Sequence, residues 1–273
     1  DGINPPVIFR GYNGFSSSSF FGRMAVSNGK LFFNNPEDYE LWATDGTEAG
    51  TYLVKDIVGE YNSFDPSQMI DINGTLFFRG YDASTGYELW KSDGTTAGTT
   101  LIKDITPGPN STNYSNSYTK VGNKLYFVNS SSYPYQLMVS DGTDAGTLSL
   151  ITNNNSFYNL TNLNDNLLLF SLHDGNILYG EELWASNGTV AGTTIVKDIN
   201  AGTNSSNPYN YIDNKNQFAV YNGKAYFNAY DGSSSKLFVS DGTNAGTTVV
   251  SPFSAYNIYP TPYGLFFNAY SFY

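Results

Sequence analysis

Apolar and polar residues alternate in short runs along this chain, and the runs end in glycine, asparagine or aspartate. Aromatic-rich runs recur at 31–33 (LFF), 76–78 (LFF), 125–127 (LYF), 167–170 (LLLF), 225–227 (AYF) and 265–267 (LFF). A period of two over four to eight residues predicts half-buried β-strands. No ten-residue stretch carries a helical period. Asn-Gly stands before three of these runs, at 28–29, 73–74 and 222–223. It supplies the positive φ angles of a type I′ hairpin.

Self-alignment shows one unit five times: ELWATDGTEAGTYLVKDI (40–57), ELWKSDGTTAGTTLIKDI (88–105), QLMVSDGTDAGTLSLIT (136–152), ELWASNGTVAGTTIVKDI (182–199) and KLFVSDGTNAGTTVVSP (236–252). The turns fall at Asp45, Asp93, Asp141, Asn187 and Asp241, spaced by 48, 48, 46 and 54 residues. That is the size of a propeller blade. Each unit predicts four strands. A is short, for example Gln68–Ile72; B is the aromatic run; C is ELW; D is the TxxVKDI run. Strands A and B occur six times, C and D five. The last A–B pair covers about 255–270, and Pro6–Arg10 offers a strand to complete it. Free sheet edges need covering. The expectation is an all-β β-propeller, one domain over 1–273, with six four-stranded blades and the last closed by both chain termini. Five blades plus extra terminal strands, or an open solenoid-like stack, are the alternatives.

The units resemble the bacterial ELWxxDGT repeats, most closely at 40–57, 88–105 and 182–199. They depart from that pattern at Met138 and Phe238, where Trp is lost, and at 152 and 252, where the KDI ending is lost. The resemblance implies repeat architecture and an extracellular or cell-surface location in a bacterium. It implies no defined activity and carries over no catalytic residue.

Composition narrows the chemistry. The net charge is −11, with 13 Lys and Arg, which disfavours nucleic acid as a partner. No cysteine is present, which removes disulfides, thiolate catalysis and cysteine zinc sites. No apolar run is long enough to span a membrane. His173 is the single histidine, and Arg10, Arg23 and Arg79 are the only arginines. A histidine triad has no material, and no pair of carboxylates stands out for glycoside hydrolysis. The expectation is therefore not an enzyme.

The D/N-G-T-x-A-G-T elements read as structural turns: Asp45, Asp93, Asp141, Asn187 and Asp241 cap backbone N–H groups, while Gly46, Gly50 and their counterparts take positive φ. Trp42, Trp90 and Trp184 read as packing residues, because Met138 and Phe238 replace them elsewhere. The D–A connections vary and are rich in Tyr, Phe, Asn and Ser, the vocabulary of recognition surfaces. Their rings form the candidate ligand site: Tyr12, Phe15, Tyr61, Phe64, Tyr114, Tyr118, Phe157, Tyr158, Tyr209, Tyr211, Tyr256 and Tyr259. The expected function is a lectin-like or adhesive module binding glycans. The second reading is a structural or protein-interaction spacer in a larger surface protein, and the third a glycoside hydrolase. Carboxylates at 37, 38, 40, 82, 88, 174, 181, 182 and 231 read as solvated acids of the B–C loops. Asp82, Glu88 and Asp174 are the candidates for calcium, although no metal and no cofactor is expected. Expected partners are glycans or a cell-surface or extracellular protein.

Overall fold

The computed structural model describes residues 23–57, 64–114, 118–175, 178–209 and 217–269. The chain forms two compact units, residues 1–113 with 140–147, and 114–139 with 148–273. Among the described residues every regular element is a strand.

The first unit holds two antiparallel meanders. One is β1 (Met24–Ser27), β2 (Lys30–Asn34), β3 (Leu41–Thr44) and β4 (Tyr52–Lys55). The other is β5 (Ser67–Ile72), β6 (Thr75–Asp82), β7 (Gly86–Ser92) and β8 (Thr100–Lys103). The second unit holds three more, apart from one hairpin tip counted with the first. They are β9 (Thr119–Val121), β10 (Lys124–Asn129), β11 (Tyr135–Ser140) and β12 (Leu148–Asn153); then β13 (Phe157–Asn162), β14 (Leu168–His173), β15 (Glu181–Ser186) and β16 (Thr193–Lys197); then β17 (Ala219–Tyr221), β18 (Lys224–Tyr230), β19 (Ser235–Ser240) and β20 (Thr248–Ser251). It ends with a two-stranded sheet, β21 (Ala255–Thr261) and β22 (Gly264–Ala269). The expected A-B-C-D order is present in five sheets and A-B in the sixth. The expected closing strand, Pro6–Arg10, lies outside the described residues.

The Asn-Gly turns behave as their sequence requires. Asn28 and Gly29 have φ of 47° and 75°, and Asn73 and Gly74 of 52° and 85°. The C–D links are longer than these Asn-Gly turns. Each is a loop of six or seven residues rather than a two-residue turn. Asp93 Oδ1 accepts the Thr95 amide at 2.8 Å and its hydroxyl at 2.7 Å. Those bonds, the hydroxyl first, hold the Asp93 carboxyl below the usual carboxylate range. The Thr95 hydroxyl accepts the Gly98 amide, and Thr99 pairs with Ser92 at the loop base at 2.8 Å. Gly94 has φ of 90°, as expected, but Gly98 is needed for a different reason. A Cβ on it would stand 2.0 Å from Asp93 Oδ1. The same clash, at 2.0–2.1 Å, meets a Cβ on Gly50, Gly146, Gly192 or Gly246. The second glycine makes room for the capping carboxylate or amide. Gly98→Ala is expected to expel the Asp93 side chain and to cost about 1–3 kcal/mol in urea unfolding. In an Asp93→Ala background the same change should cost far less, because the clash and the cap have both gone.

The aromatic B strands form the core between meanders. Phe32, Phe64, Phe78 and Trp90 are buried together in the first unit. Tyr126, Phe157 and Phe170 are buried in one cluster of the second unit, and Phe227 and Phe238 in another. The tryptophans face the B-strand rings as packing residues. Trp184 stacks on Phe170 at 6.4 Å, and Trp90 meets Phe64 edge-on at 5.0 Å.

Candidate functional site

The B–C and D–A loops meet at one end of each meander, where function is expected to lie. What holds them there is the glutamate of ELW. Glu88 is completely buried, and its Oε1 accepts the Thr106 amide at 3.0 Å and the Thr112 hydroxyl at 2.7 Å. Glu182 accepts the amides of Ile199, Asn200 and Ser206 at 3.0–3.2 Å and the Ser206 hydroxyl at 2.6 Å. Glu40 accepts the Phe64 amide at 3.3 Å. Each glutamate thus ties the D–A connection after its own repeat to its own strand C. Burial, aided by the neighbouring KDI aspartate, raises each carboxyl to about 7. These three are not the solvated loop acids expected. Glu40 stands just before strand C and Glu88 and Glu182 lie within it, all three buried.

The lysine of KDI makes a second repeated bond. Lys55 Nζ donates to Thr99 O at 2.6 Å, Lys103 to Thr147 O at 3.0 Å, and Lys197 to Thr247 O at 2.6 Å. Each ties one repeat to the C–D loop of the next. The motif's Glu, Lys, Asp, Gly and Thr are therefore occupied in assembly.

The candidate rings divide. Phe64 and Phe157 are wholly buried, and Tyr118 is 8% exposed. Tyr114 packs edge-on against Tyr118 and Phe127 at 5.5 and 5.3 Å. Tyr209 is half-buried, with its backbone bridged to Asn228. Of those whose side chains are described, only Tyr158 and Tyr259 are exposed. Tyr12, Phe15, Tyr61 and Tyr211, and the side chain of Tyr256, lie outside the described residues. The physical reason is that strand A starts inside the expected connection. β13 begins at Phe157, so that ring turns into the core while Tyr158 faces out. Bulges add to this. Registers shift between Ser67 and Ile70, Tyr158 and Thr161, and Tyr256 and Tyr259. Each shift contains a left-handed residue: Gln68, Asn159 or Asn257.

The calcium candidates are engaged with their own loops. Asp82 caps Ser84, and Asp174 accepts the amides of Leu178, Tyr179 and Gly180 at 2.8–3.1 Å. No group of three or more metal-ligating side chains comes together among the described residues. His173 Nδ1 accepts the Gly175 amide at 3.0 Å, a turn-capping role. One polar cluster lies in the first unit. Asp65 accepts Arg23 at 2.6 Å, Asn34 at 2.9 Å and the Tyr87 hydroxyl at 3.0 Å, and the Arg79 guanidinium lies 3.6 Å from the centre of the Tyr87 ring. Asp65 is left-handed, with φ of 43°, and its bonds hold the connection in place.

A different surface is left open in the second unit. On β22, Phe266 and Phe267 are 59% and 39% exposed. Their counterparts Phe77 and Phe78, Tyr126 and Phe127, and Leu169 and Phe170 are buried, as are Phe32 and Phe227, while Phe33 and Tyr226 are half-buried. On β20, Val250 is 49% exposed, whereas Val54, Ile102, Leu150 and Val196 at the same repeat position are buried. Phe253 and Tyr263 add exposed rings. Sequence reasoning did not single out this surface.

The sequence matches no protein-family model and no curated protein. Solved structures do resemble it. A putative TolB from Agrobacterium tumefaciens is 10% identical over 92% of this chain and 91% of its own, with a TM-score of 0.41. Puromycin hydrolase is 11% identical over 88% of this chain, with a TM-score of 0.52, and the chain spans 40% of that enzyme. The β-propeller domain of the Trilobed protease from Pyrococcus furiosus is 14% identical over 86% and 73% of the two chains, with a TM-score of 0.42. The fold is an all-β β-propeller. The lectin-like function is corrected: the similar solved structures are mostly peptidase-related propellers and a TolB, and only two of the seven candidate rings whose side chains are described are exposed.

Proposed function

We propose that this chain is a non-catalytic, protein-binding propeller domain. The observation that carries the reading is the apolar surface of β20 and β22, where Val250, Phe266 and Phe267 are exposed at positions the other repeats bury or half-bury. Exposed apolar groups of this extent mark a protein contact more often than a solvated face. The motif residues support the reading from the other side, since each is committed to holding loops and repeats together. A photo-crosslinking residue placed at Val250 tests it in cells that make the protein. Irradiation should join the domain to one defined protein, identified by mass spectrometry. A probe at exposed Asn164 should not. Crosslinks that are identical from both positions, or that reach only lipid, remove the reading.

A further inference from the structure

We infer that the paired carboxylates of Glu88 and Asp104 bind a divalent cation of the calcium type. The site lies in the first unit, and the inference does not depend on the apolar surface of β20 and β22.

Register sets the two acids face to face. Leu89 of β7 pairs with Lys103 of β8. One step further along the ladder, Glu88 stands opposite Asp104. Leu41 pairs with Lys55 and Leu183 with Lys197, which sets Glu40 opposite Asp56 and Glu182 opposite Asp198 in the same way. Like charges directly opposed across two strands destabilise a sheet. This chain nevertheless carries the pairing in three repeats, and it keeps or drops the pair as a whole. Where Gln136 or Lys236 replaces the glutamate, Thr152 or Pro252 replaces the aspartate. Two repulsive groups that come and go together have a shared use.

The hydrogen bonding of Glu88 points to a ligand. The side chain is completely buried, and the Thr106 and Thr112 donors both engage its Oε1. Among the described residues Oε2 has no hydrogen-bond partner, and neither has Oδ1 of Asp104. The Asp104 carboxylate is near enough to help raise the Glu88 carboxyl. Its Oδ2 accepts the Gly108 amide at 3.2 Å. No lysine or arginine answers the pair. The ion pairs among the described residues engage Asp65, Asp144 and Asp231 instead. Of the 13 Lys and Arg, only Arg10 and Lys215 lie outside those residues, fewer than the three pairs.

The donor set selects the ion. It is all oxygen: two carboxylates, with the Thr106 and Thr112 hydroxyls in contact with each other at 2.7 Å beside Glu88. Hard oxygen donors favour calcium or magnesium over zinc or copper. Calcium accepts an irregular oxygen shell, whereas magnesium demands a near-ideal octahedron. A bound cation would turn the repulsion into two ionic contacts. It would also fasten the D–A connection, which leaves β8 at Asp104, to strand C.

The test uses the intact protein, stripped with EDTA and held at pH 8. Calorimetric titration with calcium chloride should show saturable binding. About 5 mM calcium should raise the thermal midpoint by several degrees over EDTA at matched ionic strength. Magnesium should raise it less. Glu88→Gln and Asp104→Asn keep the side-chain shape and remove one charge, and each should lower the number of ions bound per chain by one. Exposed Glu48→Gln should leave that number unchanged. In EDTA, Glu88→Gln should be more stable than the wild type, and calcium should narrow the gap. Circular dichroism establishes that each variant is folded, and Glu88→Gln alone decides if Asp104→Asn is not. An unchanged number of ions in the folded variants assigns the calcium to other acids and overturns the inference. So does the absence of binding, or a thermal midpoint that calcium does not move, which would leave the pair holding only a proton.

Discussion

Replacing Glu88 by Gln should raise the thermal midpoint at pH 8 by several degrees and leave it almost unchanged at pH 4. Glu88 is buried, and burial lifts its carboxyl from 4.5 to about 7. In the unfolded chain it titrates at its ordinary value. Below pH 4.5 both states hold the proton, and the folded state suffers no charge penalty. As pH rises through 7 the folded state must bury a carboxylate, and stability falls. A shift of this size is worth on the order of 3 kcal/mol per group. Glu40 and Glu182 carry the same shift in the same direction, so the wild-type protein should lose stability steadily between pH 4.5 and about 7. Glutamine keeps the acceptor that takes the Thr106 amide and Thr112 hydroxyl, but carries no charge. The third repeat carries an uncharged side chain here: Gln136 stands at the glutamate position, and its Oε1 accepts Asn129 Nδ2 of the neighbouring strand at 3.0 Å. Glu88→Ala is the contrasting change, since it orphans the Thr106 amide and should destabilise at every pH. Thermal melts of both variants at pH 4, 6 and 8 decide the matter. A pH-independent effect of Glu88→Gln would show that the carboxyl is not titrating in this range.

Much of this architecture was legible because its determinants are local. Asn-Gly demands a positive φ wherever it occurs, and Leu-Phe-Phe alternation marks a strand with no knowledge of its neighbours. The Glu and Lys roles were not legible, because their partners are far along the chain. Lys55 meets Thr99 and Lys103 meets Thr147, each 44 residues on. Glu88 was read as a loop acid because it follows a polar loop. In fact it is paired with Gly80, inside the strand, where alternation turns it inward. The aromatic connections misled for a related reason. Tyr and Phe serve a binding surface and a core equally well. What separates the two here is a one-residue bulge, at Asn159 in the fourth repeat, which turns Leu160 into the core. Asparagine tolerates that left-handed geometry, but nothing in its sequence context demands it.

Phe64→Ala should cost about 3–5 kcal/mol, the largest single loss expected outside the repeated motif. Phe64 was a candidate for ligand contact, yet its ring is wholly buried between Phe78 at 5.3 Å and Trp90 at 5.0 Å, both edge-on. The cost depends on whether the site can collapse, and here the backbone is pinned on both sides. The Phe64 amide donates to Glu40, its carbonyl accepts the Tyr81 amide at 2.7 Å, and the next residue, Asp65, is tied to Arg23 and Asn34. The chain cannot move in to fill the space, so a cavity remains. The neighbour that shaped this pocket is Gly80. A Cβ there would lie 2.3 Å from the Phe64 ring, which is why a glycine interrupts an otherwise bulky strand. Gly80→Ala alone should therefore destabilise by displacing Phe64. In the Phe64→Ala background the added methyl enters space already emptied, and the clash has no partner. The two changes should be strongly non-additive, with the double variant more stable than the sum of the single losses predicts. Urea unfolding of the four proteins measures the coupling. Simple additivity would mean that Phe64 does not occupy the space against Gly80, and the account of this connection as a buried anchor would fail.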